Sequence, residues 1–283
     1  MNKVIIIADS TVDLTPELIK KHNIVTVPLI VRFDEEIYYD NETITPDELY
    51  EKVKIKGELP KTAAVAPQTF IELFKPYIDQ GCDILFSGIG AKMSSTIQNA
   101  IIASNEFPEG RIFVLDSGNL STGTGLLILK MCKYRDEGKS AKEIFDLVSP
   151  LVTKVSAQFA VDTLEYLHKG GRCSGASKIF GTIFHIHPII KLVDGGMIVY
   201  KKPRGAYKAA LNELVNEIKG DYPNVDLDHI FVTHSGMDQN LINYLYEEVS
   251  KVVGQDHVYI TRAGCVISSH CGPGTIGVLY IKK

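Results

Sequence analysis

Residues 4–23 read VIIIADSTVDLTPELIKKHN and contain the unit on which the fold prediction rests. The apolar β-branched run predicts a strand, a polar Asp-Ser-Thr corner follows it, and Thr15 before Pro16 is typical of a helix start. The same order of strand, polar corner and helix recurs at the apolar runs of residues 82–87 and 111–117. This alternation of continuous apolar strands with helices predicts an α/β fold with a parallel sheet.

The second half of the chain has a different pattern. Residues 188–202 read PIIKLVDGGMIVYKK, in which the Asp-Gly-Gly turn predicts an antiparallel hairpin, and helices and strands follow in mixed order. The first half of the chain also contains the apolar run of residues 25–33 (VTVPLIVRF), which is predicted as one strand. We therefore predict two domains, an N-terminal parallel-sheet α/β domain at residues 1–160 and a C-terminal mixed α/β domain at residues 161–283.

Composition narrows the class of protein. The 283 residues carry a net charge of −4, with 45% hydrophobic and 23% charged residues, which is typical of a soluble globular protein and not of a nucleic-acid-binding one. Five cysteines without a C-x-x-C pair suggest reduced thiols and neither a disulfide framework nor a zinc ribbon. The apolar run near the N-terminus is too short for a signal sequence, and no 18-residue apolar run follows. These features predict a cytoplasmic protein that does not insert into a membrane.

The C-terminal segment at residues 263–280 reads AGCVISSHCGPGTIGVLY. We expect an apolar strand that ends at His270, followed by a Gly-Pro-Gly corner that fixes the direction of the imidazole at a binding site. Gly272, Gly274 and Gly277 also satisfy the dinucleotide fingerprint G-x-G-x-x-G. That interpretation fails because no helix and no later acidic residue follow the glycines.

Three polar corners lie where an open α/β sheet binds ligands, beyond the carboxyl ends of strands. They are residues 9–11, 116–117 and 87–96, and the last reads SGIGAKMSST. Its hydroxyl residues 94–96 precede an apolar-periodic segment, so they either cap a helix or bind a carboxylate or phosphate at the helix start. Both interpretations remain open from the sequence.

Two further residues are ambiguous on their own. Thr62 lies in the extended stretch LPKTAAVAPQTF and is indistinguishable from a loop residue. Arg172 follows two glycines in HKGGRCSG, a pattern that projects a guanidinium from a tight turn toward a carboxylate, a phosphate or a protein partner. A solvated surface arginine is the competing interpretation.

Catalytic signatures are scarce. The chain has no G-x-S-x-G elbow, no S-x-x-K and no G-x-x-x-x-G-K-[ST] phosphate loop. One alternative function is a Ser/His-dependent hydrolase that uses Ser94 and His270, with Asp9 or Asp116 orienting the imidazole.

A metal-dependent enzyme is a second alternative. His185 and His187 would share a strand face, and His234 and His270 would end other strands, so a histidine cluster is conceivable. Separate histidines at strand ends are more often structural or hydrogen-bonded groups.

Taken together, these corners resemble the DegV family of bacterial fatty-acid-binding proteins, which includes the acyl-carrying subunit of fatty acid kinase. The resemblance covers essentially the whole chain and keeps the family's order of motifs. The matching segments are IIADSTVDLT, PKTAAVAP, KMSSTIQNA, VLDSGNLSTGTG, DTLEYLHKGGR, HIHPIIKLVDG and SSHCGPGTIGV. The chain departs from the family pattern at Ala63, Ser95 and His187.

The resemblance implies two α/β domains with an acyl chain between them. By the same resemblance, Thr62 and Ser94 hold the fatty acid carboxylate and His270 supports them. Arg172, and more weakly Arg204 in KKPRGA, would serve docking with the kinase subunit.

The resemblance also implies a carrier and not an enzyme. Its partners would be a long-chain fatty acid such as palmitate and a separate ATP-dependent kinase subunit that forms the acyl phosphate for phospholipid synthesis. Phosphoryl transfer needs ATP, magnesium and a phosphate cradle, and this sequence has none of the usual cradles. No cofactor and no metal are expected.

Overall fold

The computed structural model describes residues 2–174, 176 and 186–283. Its strands are β1 (Val4–Asp9), β2 (Val25–Val27), β3 (Ile30–Phe33), β4 (Glu36–Tyr39), β5 (Lys61–Ala63), β6 (Asp83–Gly88), β7 (Ile112–Asp116), β8 (Val155–Ala160), β9 (Cys173–Ser174), β10 (Ile189–Val193), β11 (Gly196–Lys201), β12 (Ile230–His234), β13 (Val258–Arg262) and β14 (Ile276–Ile281). Its α-helices are α1 (Pro16–Lys21), α2 (Pro46–Lys56), α3 (Pro67–Asp79), α4 (Thr96–Ser104), α5 (Thr122–Asp136), α6 (Ala141–Val148), α7 (Glu165–Gly170), α8 (Tyr207–Asp221), α9 (Gln239–Val253) and α10 (Cys265–Cys271). Within these ranges, no helix combines the length and the apolar character needed to cross a bilayer.

The predicted parallel sheet is confirmed. Its strand order is β2-β1-β6-β7, and every neighbouring pair is parallel. Side chains such as Ile6, Ile84 and Phe86 are completely buried, and Phe70 and Phe74 of α3 pack against the Phe86 ring. The polar corners after β1, β6 and β7 therefore lie along one edge of this sheet, because the carboxyl ends of parallel strands coincide.

The prediction of a single strand over residues 25–33 is wrong. The segment divides into β2, which joins the parallel sheet, and β3, which joins an antiparallel three-stranded sheet of order β4-β3-β5. Pro28 lies at the division and has no N–H group for a sheet hydrogen bond. The division matters for function because Thr62 lies on β5, opposite Val31 of β3, and is not a loop residue.

A second large sheet has seven strands in the order β13-β12-β14-β8-β10-β11-β9, with both parallel and antiparallel pairs. The predicted hairpin is confirmed, since β10 and β11 pair antiparallel with Val193 opposite Gly196. One buried apolar cluster includes Phe86 of the parallel sheet together with Phe231 and Leu279 of the mixed sheet. The two sheets therefore pack into a continuous core, and the division at residue 160 stays a prediction.

The C-terminal segment corrects another expectation. His270 lies in the last turn of helix α10 and not at the end of a strand, while β14 begins only at Ile276. The run has no amphipathic helical pattern because nearly all of its residues are buried. Buried aspartates from elsewhere in the chain accept hydrogen bonds from the N–H groups of its first turn, so tertiary contacts override the strand propensity of valine and isoleucine.

Candidate functional site

Thr62, Ser94 and His270 line one cavity of about 170 Å³, although they lie far apart in the sequence. Arg172 also borders this cavity. Among the described residues, the remaining walls are mainly apolar. They comprise Leu29, Ala63, Ala64, Ile89, Met93, Ser95, Leu120, Met197, Val266, Ile267 and Cys271. A small set of polar groups in an apolar pocket is the usual composition of a site that binds an amphipathic molecule.

The centre of the site is a hydrogen bond between Thr62 and His270. The Thr62 Oγ1 and His270 Nε2 atoms are 2.9 Å apart. Burial, and then the nearby positive charge of Arg172, lower the pKa of His270 to about 4. The imidazole is therefore neutral near pH 7 and carries one ring N–H. If Nε2 donates that hydrogen to Thr62, the threonine hydroxyl remains able to donate its own hydrogen to a ligand.

The Gly-Gly pair before Arg172 has a structural role that the sequence did not reveal. Gly170 lies against the imidazole, since a Cβ atom at this position would come within 2.6 Å of His270 Nδ1. Gly171 ends helix α7 in the left-handed conformation, with φ of 68°. The first glycine thus makes room for the histidine ring, and the second turns the chain toward Arg172.

Ser94 lies just outside helix α4. The residue at the N-cap is Ser95, whose side chain makes no capping hydrogen bond, whereas Ser94 Oγ accepts a 3.3 Å hydrogen bond from the Thr96 N–H. The Ser94 and Thr96 hydroxyls are also 2.9 Å apart. If Thr96 donates in that contact, the Ser94 hydrogen points elsewhere and is available to a ligand in the cavity.

The corner at residues 9–11 does not line this cavity. Asp9 is fully buried and accepts hydrogen bonds from the N–H and hydroxyl groups of Thr11 and from the N–H of Ile89. Burial raises the pKa of Asp9 to about 6, although these hydrogen bonds oppose the shift. The corner holds the loop that leads to Ser94.

The corner at residues 116–117 also holds the loop that leads to Ser94. Asp116 accepts from the N–H groups of Ala91 and Gly118, and the buried Ser117 hydroxyl donates to the carbonyl of Gly88. Both residues therefore brace the same loop from its other side.

The two arginines assigned to docking occupy different places. Arg172 is exposed at the cavity, and its guanidinium donates to the Gly170 carbonyl. Arg204 is also exposed, forms a backbone bridge with Ile186 and does not line the cavity. The structure thus groups Arg172 with the three polar residues and leaves Arg204 apart from them.

The geometry does not support the hydrolase alternative. Among the described residues, His270 Nδ1 has no hydrogen-bond partner, so no carboxylate there orients the imidazole as a catalytic triad requires. The hydrogen bonds of Asp9 and Asp116 go instead to the loop contacts described above.

The metal alternative likewise gains no support. In the part of the chain that the structure describes, no group of three or more His, Cys, Asp or Glu residues could hold a metal ion. His187 packs against the Tyr207 ring, and His234 Nδ1 accepts from the Gly236 N–H. His185 lies outside the described residues.

Sequence reasoning missed two aspartates that hold helix α10. Asp13 and Asp40 accept hydrogen bonds from the N–H groups that begin this helix. No local pattern identifies them, because their partners are more than 220 residues away in the chain.

Comparisons with known proteins agree over the whole chain. A family model described as "Uncharacterised protein, DegV family" matches residues 3–283. A DegV domain-containing protein of Clostridium acetobutylicum is 32% identical over 284 residues, with 100% of each chain covered.

Solved structures give the same result. A fatty-acid-binding DegV family protein from Thermus thermophilus superposes with a TM-score of 0.91 at 30% identity, over 99% of this chain and 100% of that one. A fatty-acid-binding DegV family protein from Streptococcus agalactiae gives a TM-score of 0.90 at 26% identity, over 100% of both chains. The fold, the motifs and these matches agree, and the chain belongs to the DegV family.

Proposed function

We propose that this protein binds a long-chain fatty acid, whose carboxylate is held by Thr62 and Ser94 with His270 in support. The observation that carries the proposal is the Thr62–His270 hydrogen bond in a mainly apolar cavity that Ser94 also lines. Structural relatives of this chain are described as fatty-acid-binding proteins, which supports the same ligand class.

The part of the cavity lined by Thr62, Ser94 and His270 suits a carboxylate. A buried carboxylate loses its hydration and must regain hydrogen bonds from the protein. Two hydroxyl groups supply them, and the neutral imidazole orients one hydroxyl without adding a charge. Arg172 lies near enough to lower the pKa of His270, which helps to keep the imidazole neutral.

The acyl tail supplies most of the affinity. Each buried CH₂ group contributes about 0.8 kcal/mol, so a chain of about 16 carbons has on the order of 10 kcal/mol available. The cavity of about 170 Å³ is smaller than the roughly 300–1,000 Å³ of a typical ligand pocket. In this proposal, wall residues such as Met93 and Met197 move aside to admit the tail, which unbranched methionine side chains do readily.

We further propose that the protein is a carrier in the cytoplasm. It would present the bound acid to a separate ATP-dependent fatty acid kinase, which forms the acyl phosphate used in phospholipid synthesis. Arg172 lies at the cavity and is exposed, so it is placed to meet such a partner beside the ligand carboxylate. Arg204, also exposed, would extend the docking surface.

Native mass spectrometry and organic extraction of the purified protein test the ligand assignment. We expect one long-chain fatty acid per chain, and palmitate should rebind after delipidation. A protein that carries a stoichiometric nucleotide or metal and has no affinity for palmitate would overturn the proposal.

A further inference from the structure

We propose that Asp40 and Asp13, which lie outside the cavity, position His270 and thereby set how strongly the site prefers an ionised head group over a neutral one. The inference rests on the proposed function. It concerns helix α10, which carries His270 in its last turn and is held at its first turn by these two carboxylates.

The anchoring contacts are short and lie at one end of the helix. Asp40 Oδ1 accepts from the N–H of Cys265 at 2.7 Å and from that of Val266 at 3.3 Å. Asp13 Oδ1 accepts from the N–H of Gly264 at 2.8 Å. Gly264 occupies the N-cap and has no side chain that could cap the helix. The two aspartates therefore satisfy N–H groups that a helix leaves open, where negative charge is also favoured.

The carboxylates are themselves fixed in place. The Ser10 hydroxyl donates to Asp40 Oδ2 at 2.7 Å, and the Ser121 hydroxyl donates to Asp13 Oδ2. Asp40 is 1% exposed and Asp13 is 5% exposed. One oxygen of each carboxylate is hydrogen-bonded to the helix and the other to a serine, which fixes the rotation of the carboxylate group.

At the other end of the helix, the histidine ring has few restraints of its own. Its Nε2 atom contacts Thr62, but its Nδ1 atom has no hydrogen-bond partner in the part of the chain that the structure describes. Histidines at functional sites are commonly oriented through the second ring nitrogen. Here the orientation depends on the helix, and a rotation of α10 would move Nε2 away from Thr62 Oγ1.

Burying the carboxylates of Asp13 and Asp40 costs free energy of desolvation. This cost favours a positioning role over a purely structural one. Burial raises the pKa of Asp40 to about 6, and apolar side chains of the same volume would pack without this desolvation. A carboxylate, however, fixes both the translation and the rotation of a short helix through directional hydrogen bonds. Apolar packing alone would not restrain the rotation of α10 in that way.

The test compares two ligands with the same tail. Dissociation constants for palmitate and for hexadecanol are measured on the full-length protein, and their ratio reports the preference for an ionised head group. We expect Asp40→Ala to reduce this preference about tenfold, within the range of coupling energies for residues that share contacts. Hexadecanol affinity should stay unchanged. Asp83→Ala is the control, because Asp83 pairs with Arg111 and lies outside the cavity.

A double-mutant cycle separates positioning from a general structural effect. In the His270→Ala background, Asp40→Ala should cause no further loss of preference, because the residue through which Asp40 acts is gone. Equal losses in both backgrounds, or no loss in either, would overturn the inference. Should Asp40→Ala not fold, Ser10→Ala replaces it. This variant removes the hydroxyl that fixes Asp40, and we expect a smaller loss, about threefold, that again vanishes without His270.

The outcomes also distinguish this inference from the proposed function. A wild-type protein without preference for palmitate, or a His270→Ala variant with full preference, would overturn the head-group assignment itself. A preference that depends on His270 but not on Asp40 or Ser10 would leave that assignment standing and overturn only the positioning role.

Discussion

Thr62 and Ser94 each offer one hydroxyl donor to a carboxylate in the cavity. We expect Thr62→Val and Ser94→Ala each to weaken palmitate binding by about 1.5 to 3 kcal/mol, the usual contribution of a hydrogen bond to a charged group. Both variants should keep the fold, because neither residue is fully buried. The measurement is the palmitate dissociation constant, with Ser95→Ala as control, since Ser95 borders the same cavity without a capping bond. A double variant that binds palmitate as tightly as wild type would place the head group elsewhere.

His270 should impose a pH dependence on stability. Its pKa is lowered to about 4 in the folded protein and is about 6.5 in an unfolded chain. Between these values the unfolded chain binds more protons, so the free energy of unfolding falls as the pH decreases from 6.5 to 4. The full effect is about 3 kcal/mol at 1.36 kcal/mol per pKa unit.

Replacing the imidazole removes this penalty. The stability difference between wild type and His270→Gln should therefore shift in favour of the variant by about 3 kcal/mol from pH 7.5 to pH 4. Urea unfolding at several pH values measures it, and His257→Gln, outside the cavity, controls for loss of a histidine. A difference that does not change with pH would show that His270 titrates normally.

The sequence identified the individual site residues but did not show that they meet in space. Thr62, Ser94, His270 and Arg172 were identified by resemblance, and the structure brings all four to one cavity. Their local sequence does not reveal this, because Thr62 meets a ring 208 residues away. Such a contact leaves no periodic or spacing signal.

Helix α7 contributes to the site through Gly170, its last residue. A Cβ atom at Gly170 would come within 2.6 Å of His270 Nδ1, so Gly170→Ala should displace the imidazole from Thr62. We expect palmitate affinity to fall about tenfold or more, since a small misplacement at a site can have that effect. Gly220→Ala is a matched control, because a Cβ there would contact nothing within 4 Å. Unchanged affinity in Gly170→Ala would show that the ring position does not matter.

The start of helix α1 has a local signal and was predicted correctly. Thr15 caps this helix, because a cap is decided within a few residues. Helix α10 was predicted as a strand, since its first turn depends on Asp13 and Asp40. Distant contacts thus account for the wrong prediction at α10, whereas the wrong single strand over residues 25–33 overlooked the local signal of Pro28.

The residues of the proposed site come from or adjoin all three sheets of the molecule. Thr62 lies on the three-stranded sheet, Ser94 follows β6 of the parallel sheet, and His270 lies between β13 and β14 of the mixed sheet. Bound palmitate should therefore stabilise the entire fold. At a free concentration 100 times the dissociation constant, we expect the free energy of unfolding to rise by about 2.7 kcal/mol with an unchanged denaturant slope.

Urea unfolding, monitored by two independent spectroscopic probes, tests this coupling between palmitate binding and the free energy of unfolding. The Thr62→Val/Ser94→Ala double variant should gain less at the same palmitate concentration. If only one of two separate transitions moves with palmitate, the ligand contacts one part of the fold and the assembled site is wrong.

Carrying a fatty acid and delivering it to a partner should depend on different residues. Arg172 is exposed, and exposed arginines at a rim act mainly on association and orientation of a partner. Arg172→Ala should therefore change palmitate affinity little, while acyl-phosphate formation by added kinase subunit and ATP falls strongly. Arg32→Ala is the control, because Arg32 is an exposed arginine that does not line the cavity. Affinity and kinase-coupled turnover are measured on the same samples. A variant that loses palmitate but keeps full turnover when saturated would make Arg172 a head-group ligand, and the docking assignment would be wrong.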